Sequence, residues 1–195
     1  MRIKINLKRI LLIIIIIVLL FLLLYLYKQF KPVLSVEYNN HFYVFRDDVK
    51  EAKRVPVYPN EDWVYDLLWN HKLKTITIMF KPMEDQKTNA RYSLEAFELT
   101  YKLSQVYAST PVTKVIIHNK TQYVYFEKNF SAQPIDDYED IPREEDVLKI
   151  ILVPPQLSDG TYVRGGGNRI FIYGKDFRGL DLATIKTILV AMKIY

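Results

Sequence analysis

Carboxylate side chains, which could collect a divalent cation, are concentrated between residues 136 and 146. The acidic residues of this stretch are Asp136, Asp137, Glu139, Asp140, Glu144, Glu145 and Asp146. Hard cations such as Ca²⁺ prefer several carboxylate oxygens, but an EF-hand loop needs its ligands at alternating positions around a Gly and before a closing Glu. The stretch lacks that spacing, so we interpret it as a solvated acidic loop and predict no metal site.

Gly165, Gly166, Gly167 and Asn168 could cradle a phosphate group with bare backbone amides. A phosphate-binding loop continues with Lys and then Ser or Thr at the start of a helix. Neither feature follows here. Two β-rich runs flank the glycines instead, so the composition predicts a hairpin turn, and no nucleotide or other cofactor is predicted.

Residues that could carry hydrolytic chemistry are scattered along the chain. The histidines His41, His71 and His118 are isolated, and no zinc-protease or serine-hydrolase motif surrounds them. Glu95 and Glu98 lie three residues apart on a predicted helix, where they could act as an acid and base pair, although exposed acids at that spacing are common. The chain has no Cys, which excludes thiol nucleophiles, zinc–thiolate sites and disulfides.

The elements that would position such residues alternate between strand and helix patterns. Runs of β-branched and aromatic residues predict strands, and apolar residues at three- and four-residue steps predict helices. The predicted strands are 33–37, 41–45, 75–80, 113–118, 122–126, 147–153, 162–164 and 169–173, and the predicted helices are 60–70, 91–108 and 181–194. This alternation predicts an α/β fold with a mixed sheet of Rossmann-like or three-layer type. Residues 133–146 have a linker-like composition and are expected to cross the surface of the same domain.

If the sheet is doubly wound, a ligand should bind beyond the carboxyl ends of its strands. The loops that follow two of the predicted strands there span residues 81–90 and 154–159. The candidate ligand-binding residues in and beside these loops are Lys81, Glu84, Asp85, Asn89, Arg91 and Asp159. The sequence assigns none of them a catalytic role.

Residues 10–27 are eighteen consecutive apolar or aromatic residues without a charge, Gly or Pro. A helix of this length covers roughly 27 Å, close to the hydrocarbon core of about 30 Å, so the run predicts a transmembrane signal anchor in a lipid bilayer. A cleaved signal peptide is the alternative, but its apolar region would be shorter, and no small-residue cleavage site follows the run. Four basic residues precede the run and two follow it closely, which predicts residues 1–9 in the cytoplasm and residues 28–195 outside.

Charge is distributed unevenly along the chain. Residues 1–31 hold six of the 27 Lys and Arg residues and no acid, which leaves 21 basic and 22 acidic residues in 32–195. Because this exterior segment lacks the basic excess that phosphate backbones require, nucleic-acid binding is not expected. Asn119 and Asn129 begin sequons that would accept glycans in a host that glycosylates exported proteins.

The order of features, with Phe45-Arg46-Asp47-Asp48 after a hairpin and a Gly-Leu-Asp-Leu-Ala-Thr helix start at 179–184, resembles archaeal single-pass membrane proteins over most of the exterior segment. The resemblance implies no activity. We expect a non-enzymatic membrane protein whose α/β domain binds another protein or an envelope component. A membrane-tethered hydrolase and a tethered solute-binding domain are the alternatives. A flat aromatic patch would favour the first hypothesis, and a deep cleft with convergent carboxylates or histidines would favour the hydrolase.

Overall fold

The computed structural model describes residues 14–23, 25, 31–117, 120–125, 128–138, 141 and 144–195. The chain divides into two compact units, Met1–Pro32 and Val33–Tyr195. In the first unit, residues 14–23 are helical. Over the described residues, no helix is both long and apolar enough to cross a bilayer. Residues 10–13, 24 and 26–27 of the predicted anchor lie outside the described part, and the anchor stays a prediction from the sequence.

The second unit combines strands and helices along its whole length. The strands are β1 (Ser35–Tyr38), β2 (His41–Val44), β3 (Val57–Tyr58), β4 (Thr75–Phe80), β5 (Pro111–Ile117), β6 (Lys120–Tyr125), β7 (Asn129–Pro134), β8 (Val147–Val153), β9 (Tyr162–Gly166) and β10 (Arg169–Tyr173). The α-helices are α1 (Val49–Lys53), α2 (Glu61–Leu68), α3 (Gln86–Ser109) and α4 (Phe177–Ala191). A single 3₁₀ turn, Pro155–Leu157, follows β8.

Six of the strands form one mixed sheet in the order β3-β9-β10-β8-β4-β7. The strands β10, β8, β4 and β7 run parallel to one another, whereas β9 is antiparallel to β10. The mixed α/β sheet predicted from the sequence is thereby confirmed, and β4 and β8 have the predicted bounds. All seven residues of β8 are buried, because a strand inside a sheet that is covered on both faces is apolar at nearly every position.

The helices pack against one face of the sheet. Alternate strand residues such as Ile76, Ile150 and Ile172 enter that core with Leu99 of α3 and Leu189 of α4. Among the described residues, the core on the opposite face contains no helical residue. The fold is therefore a two-layer arrangement, which corrects the prediction of a Rossmann-like or three-layer type. The physical reason is that the chain returns from β7 to β8 across that face without a helix in the part described.

The segment between β7 and β8 forms a second, smaller core on the helix-free face. Ile135 and Ile141 are buried there against Met79 of β4 and Ile151 of β8. Residues 133–146 belong to the single compact unit Val33–Tyr195 and do not separate two domains. The linker-like composition did not predict two features of this segment. Its first residues belong to β7, and its apolar residues Ile135 and Ile141 are part of a core.

Two helices begin earlier than predicted because their capping residues precede the apolar pattern. Asp85 accepts a hydrogen bond from the Thr88 N–H at 2.9 Å and caps α3, which starts before position 91. Asp176 accepts one from the Gly179 N–H at 2.6 Å and caps α4. Asp181, predicted as the first residue of the last helix, is therefore one turn inside α4 and buried.

Three predicted hairpins are present in the structure. β1 and β2 are joined by Asn39 and Asn40, whose φ angles of 48° and 63° are the left-handed values of a tight turn. β9 and β10 are joined through Gly167, with φ 59°, so the glycine-rich stretch is a hairpin as predicted. β5 and β6 pair antiparallel, while His118 and Asn119 of their predicted turn lie outside the described residues.

Candidate functional site

The side chains predicted to bind a ligand in a crevice serve separate local purposes. Asp85 caps α3, and hydrogen bonds from Thr88 lower the pKa of its carboxyl group. Asn89 holds the preceding loop, because its side-chain amide exchanges two hydrogen bonds of 2.6 Å with the backbone of Met83. Both residues shape the start of α3.

The other four predicted residues lie in different surroundings. Lys81 follows β4, and its backbone N–H donates to a tyrosine hydroxyl of the β7–β8 segment at 3.2 Å. Glu84 is exposed. Asp159 accepts a hydrogen bond from the Tyr162 hydroxyl at 3.0 Å, and Arg91 pairs with an acid of α4. Within the described residues, no side-chain hydrogen bond or ion pair joins any two of the six candidates. A backbone bond of the first helical turn, from the Asn89 N–H to the Asp85 carbonyl at 3.1 Å, links two of them. Ligand binding by the six stays a prediction.

A charge network that sequence reasoning missed connects α3 to α4 and to the segment after β2. Its members are Arg46, Arg91, Glu95, Glu98, Lys102 and Asp181. Arg46 donates to Glu95 at 2.7 Å and to Glu98 at 2.6 Å. Arg91 pairs with Asp181, and its Nε lies 3.6 Å from Glu95. The Glu95 side chain is 1% exposed, so this carboxylate pair is not the exposed pair that is common at such spacing.

The network alters the proton affinity of its members. Burial raises the pKa of Glu95 to about 9, with the hydrogen bond and charge of Asp181 acting in the same direction and the charge of Arg46 opposing it. Burial also lowers the pKa of Lys102. A protonated carboxyl group could act as a general acid, but the cavities described below are lined by other residues. We therefore interpret the network as a structural connection between α3 and α4.

Two surface cavities lie at opposite ends of the parallel strands. One of 620 Å³ opens at the amino ends of β8 and β10, where Lys149 pairs with Glu144 at 2.7 Å beside Asn168. The other, of 480 Å³, lies at the start of α4 and is lined by Arg54 and Lys175 among others. Each mixes acidic and basic side chains, and the residues that line them include no histidine.

The acidic stretch 136–146 is described only in part, because Glu139 and Asp140 fall outside the described residues. In the described part of the chain, no three His, Asp or Glu side chains lie close enough together to hold a metal ion. Glu144 of this stretch makes the ion pair with Lys149. The interpretation of the stretch as a solvated loop stays a prediction.

The histidines and sequons are dispersed over the domain. His41 lines a cavity of 260 Å³, and His71 lies in an exposed turn. Asn129 is the exposed first residue of β7. His118 and Asn119 lie outside the described residues.

A row of aromatic side chains crosses the helix-free face over β3, β9 and β10. It consists of Tyr58, Tyr162, Tyr173 and Phe171, which we name the aromatic row. Ring centroids are 5.8 Å apart between Tyr58 and Tyr162, 4.4 Å between Tyr162 and Tyr173, and 6.2 Å between Tyr173 and Phe171. The register places them on one face, since Tyr162 pairs with Tyr173, and Arg164 pairs with both Phe171 and Tyr58.

The rings of the aromatic row contact one another in sequence across the three strands. Tyr162 and Tyr173 lie on neighbouring strands and stack with an interplanar angle of 22°, so one face of each ring contacts the other ring. Tyr58 is 52% exposed, and the other three side chains are half-buried. Burial and the neighbouring Asp159 raise the pKa of Tyr162 from its ordinary value of 10 to about 12. Arg164 is exposed beside the row.

The aromatic row follows from an alternating pattern in the sequence of β9 and β10. In β9 and β10, aromatic or charged residues alternate with the buried Val163, Ile170 and Ile172. The hairpin could be predicted, but which of its faces stays uncovered depends on the distant β7–β8 segment. No protein-family model, curated protein or solved structure matches this chain.

Proposed function

We propose that this chain is a membrane-anchored, extracytoplasmic domain that binds another protein through the aromatic row. The observation that carries the proposal is a continuous set of four rings on the sheet face that the helices leave uncovered. A sheet face that contacts only water normally presents polar side chains. Here Phe171 and Tyr173 occupy successive positions of β10 on the helix-free face, and the aromatic row continues onto β9 and β3.

The orientation of the rings favours a protein over a glycan. A sugar ring packs on an exposed aromatic face, whereas the faces of Tyr162 and Tyr173 are turned toward each other. Stacked tyrosines offer apolar ring surface and hydroxyl groups, and their side chains have little conformational entropy left to lose, which suits a protein partner. Arg164 and Asp159 at the margin can add charged contacts of either sign.

The location proposed for the domain derives from the sequence alone. The apolar run at 10–27 would hold the chain in the membrane as a single-pass anchor, and the basic residues before it favour a cytoplasmic N-terminus. Residues 28–195 would then face the exterior. Protease added to spheroplasts should digest this segment, and full protection would reverse the orientation.

A tethered solute-binding domain is the second candidate, because the 620 Å³ cavity offers the Glu144–Lys149 pair and the amide of Asn168 to a small polar ligand. The hydrolase alternative has less support. Its carboxyl pair is enclosed between packed elements, where Arg46 donates to both Glu95 and Glu98 and Lys102 pairs with Glu98.

Site-specific photo-crosslinking tests the proposed partner surface. A photoreactive amino acid replaces Tyr58 or Arg164 in the full chain, expressed in its own host cells. Phe97, which is 66% exposed on α3, is the matched control for an exposed aromatic position elsewhere. We expect one discrete protein adduct from the two positions in the row and none from Phe97. The same adduct should disappear when Tyr173→Ala is added, because that substitution removes the centre of the row.

Two outcomes would contradict the proposal. Equal adducts from Phe97 and the row would show that crosslinking reports exposure alone. Adducts that persist unchanged in the Tyr173→Ala background would show that the rings do not form the binding surface.

A further inference from the structure

The β1–β2 hairpin has one face toward the domain and one away from it. On the inner face, the hydroxyls of Tyr38 and Tyr43 hydrogen-bond side chains at the carboxyl end of α3. Phe42 and Val44 alternate with Tyr43 and therefore occupy the outer face. Phe42 is 73% exposed and Val44 is 65% exposed. The outer face thus presents two large apolar side chains close together on a small hairpin.

Single exposed apolar side chains are common and need no partner. What distinguishes these two is their place in the chain. The domain is ordered from its first residue, since the Val33 N–H donates to Asp48 at 3.0 Å and the Val33 carbonyl accepts from the Val49 N–H at 2.8 Å. Only residues 28–32 separate the apolar run from Val33. Even when fully extended, such a segment spans about 20 Å.

We infer that Phe42 and Val44 insert into the interfacial region of the bilayer that holds the apolar run. The inference rests on the membrane anchor of the proposed function, and it adds a second, peripheral contact with lipid. The interfacial region extends roughly 5–8 Å beyond the hydrocarbon core on each side and accepts apolar side chains while nearby polar groups stay hydrated. A tether of at most about 20 Å keeps the hairpin within reach of this region.

The charges around the hairpin set the depth of insertion. Lys31 is exposed just before β1 and can pair with lipid phosphate or an anionic headgroup. Glu37 is the cross-strand partner of Phe42 and is exposed on the same outer face. Because a carboxylate must remain hydrated, Glu37 limits the hairpin to a shallow position in which the two apolar side chains pass the headgroups and the backbone does not.

The absence of cysteine from the sequence allows a direct test. The full-length variants Phe42→Cys, Val44→Cys, Phe97→Cys and Leu22→Cys are labelled with an environment-sensitive fluorophore. They are then reconstituted in vesicles of phosphatidylcholine and phosphatidylglycerol. Quenching is measured with nitroxide-labelled lipid and, separately, with aqueous iodide. Phe97 is the matched control because it is a phenylalanine of similar exposure, 66%, on a different surface. Leu22 reports on the apolar run.

We expect labels at positions 42 and 44 to be quenched severalfold more by nitroxide lipid than the label at 97, and severalfold less by iodide. The inference is overturned if Leu22 is quenched by lipid while positions 42 and 44 behave like 97. Protection of position 42 from iodide without quenching by lipid also overturns it, because a protein then covers the hairpin. If the Leu22 label is itself open to iodide, the anchor fails, and the lipid contact fails with it.

Discussion

The substitution Glu95→Gln should remove a pH dependence of stability that one buried carboxyl group imposes on the domain. Glutamine keeps the length of the side chain and its capacity to hydrogen-bond, but it cannot ionise. In the folded protein the Glu95 side chain is 1% exposed, and burial together with Asp181 raises its pKa to about 9. In the unfolded chain the group is solvated, with an ordinary value of 4.5.

The sign follows from proton uptake. Between the two pKa values, the folded state holds a proton that the unfolded state has released, so stability falls as pH rises. The favourable contribution is complete below pH 4.5 and is lost as the pH climbs through the folded value of about 9. One fully shifted group changes the free energy of unfolding by at most about 1.4 kcal/mol per pH unit. From about pH 5 to about pH 8 the upper limit is therefore about 4 kcal/mol, a large part of a typical stability of about 5–15 kcal/mol.

The assay is urea unfolding of the fragment 33–195, followed by tryptophan fluorescence, for wild type and Glu95→Gln. The quantity compared is the difference in unfolding free energy between the two proteins at each pH, because titration common to both cancels. As pH rises, we expect the unfolding free energy of Glu95→Gln to increase relative to that of wild type. Glu84→Gln makes the same chemical change at an exposed position and should follow wild type. Parallel profiles for wild type and Glu95→Gln would refute the assignment of a proton to Glu95.

Three further outcomes are expected. The fragment 33–195 should be soluble and unfold cooperatively without sensitivity to reductant, which calorimetry checks, because it is one compact unit in a chain without cysteine. Gly165→Ala should destabilise it by about 1–3 kcal/mol, because a Cβ there would lie 2.1 Å from the Trp63 ring, while Gly166→Ala is the control with no atom within 4 Å. If the acidic stretch 136–146 is only solvated, neither millimolar Ca²⁺ nor a nucleotide should raise the Tm of the fragment. A ligand that binds the folded state at 100 times its Kd would add about 2.7 kcal/mol to the free energy of unfolding.

Elements with strong local signals could be predicted from the sequence. β4 and β8 are apolar runs bounded by polar residues or proline, and their bounds were predicted correctly. Asn39 and Asn40 adopt the positive φ angles that their residue type allows at little cost. β7 was missed, because it forms the edge of the sheet and reads Asn-Phe-Ser-Ala-Gln-Pro, with neither an apolar run nor strict alternation.

The charge network could not have been predicted from local patterns. Glu95 and Glu98 look like the solvated face of a helix, but Arg46 reaches them from 49 and 52 positions away in the chain. That distant cation and Lys102 of the same helix compensate the charge of Glu98, while burial raises the pKa of Glu95. Tertiary packing decides whether an acid on a helix faces water or another element. Local patterns in a single sequence therefore do not predict the burial of Glu95.

The interpretation of the aromatic row as a partner surface depends on which residues cover each face of the sheet. The helices bury Val163, Ile170 and Ile172, which accounts for every second residue of β9 and β10. The described residues of the β7–β8 segment pack on the other face against β4 and β8, and Phe171 and Tyr173 of β10 lie at the margin of this second core. A domain that met only water would end this second core with polar residues. Instead the apolar surface continues to Tyr162 and Tyr58, which lie outside the second core formed by the described residues. A partner protein on this face would extend that core.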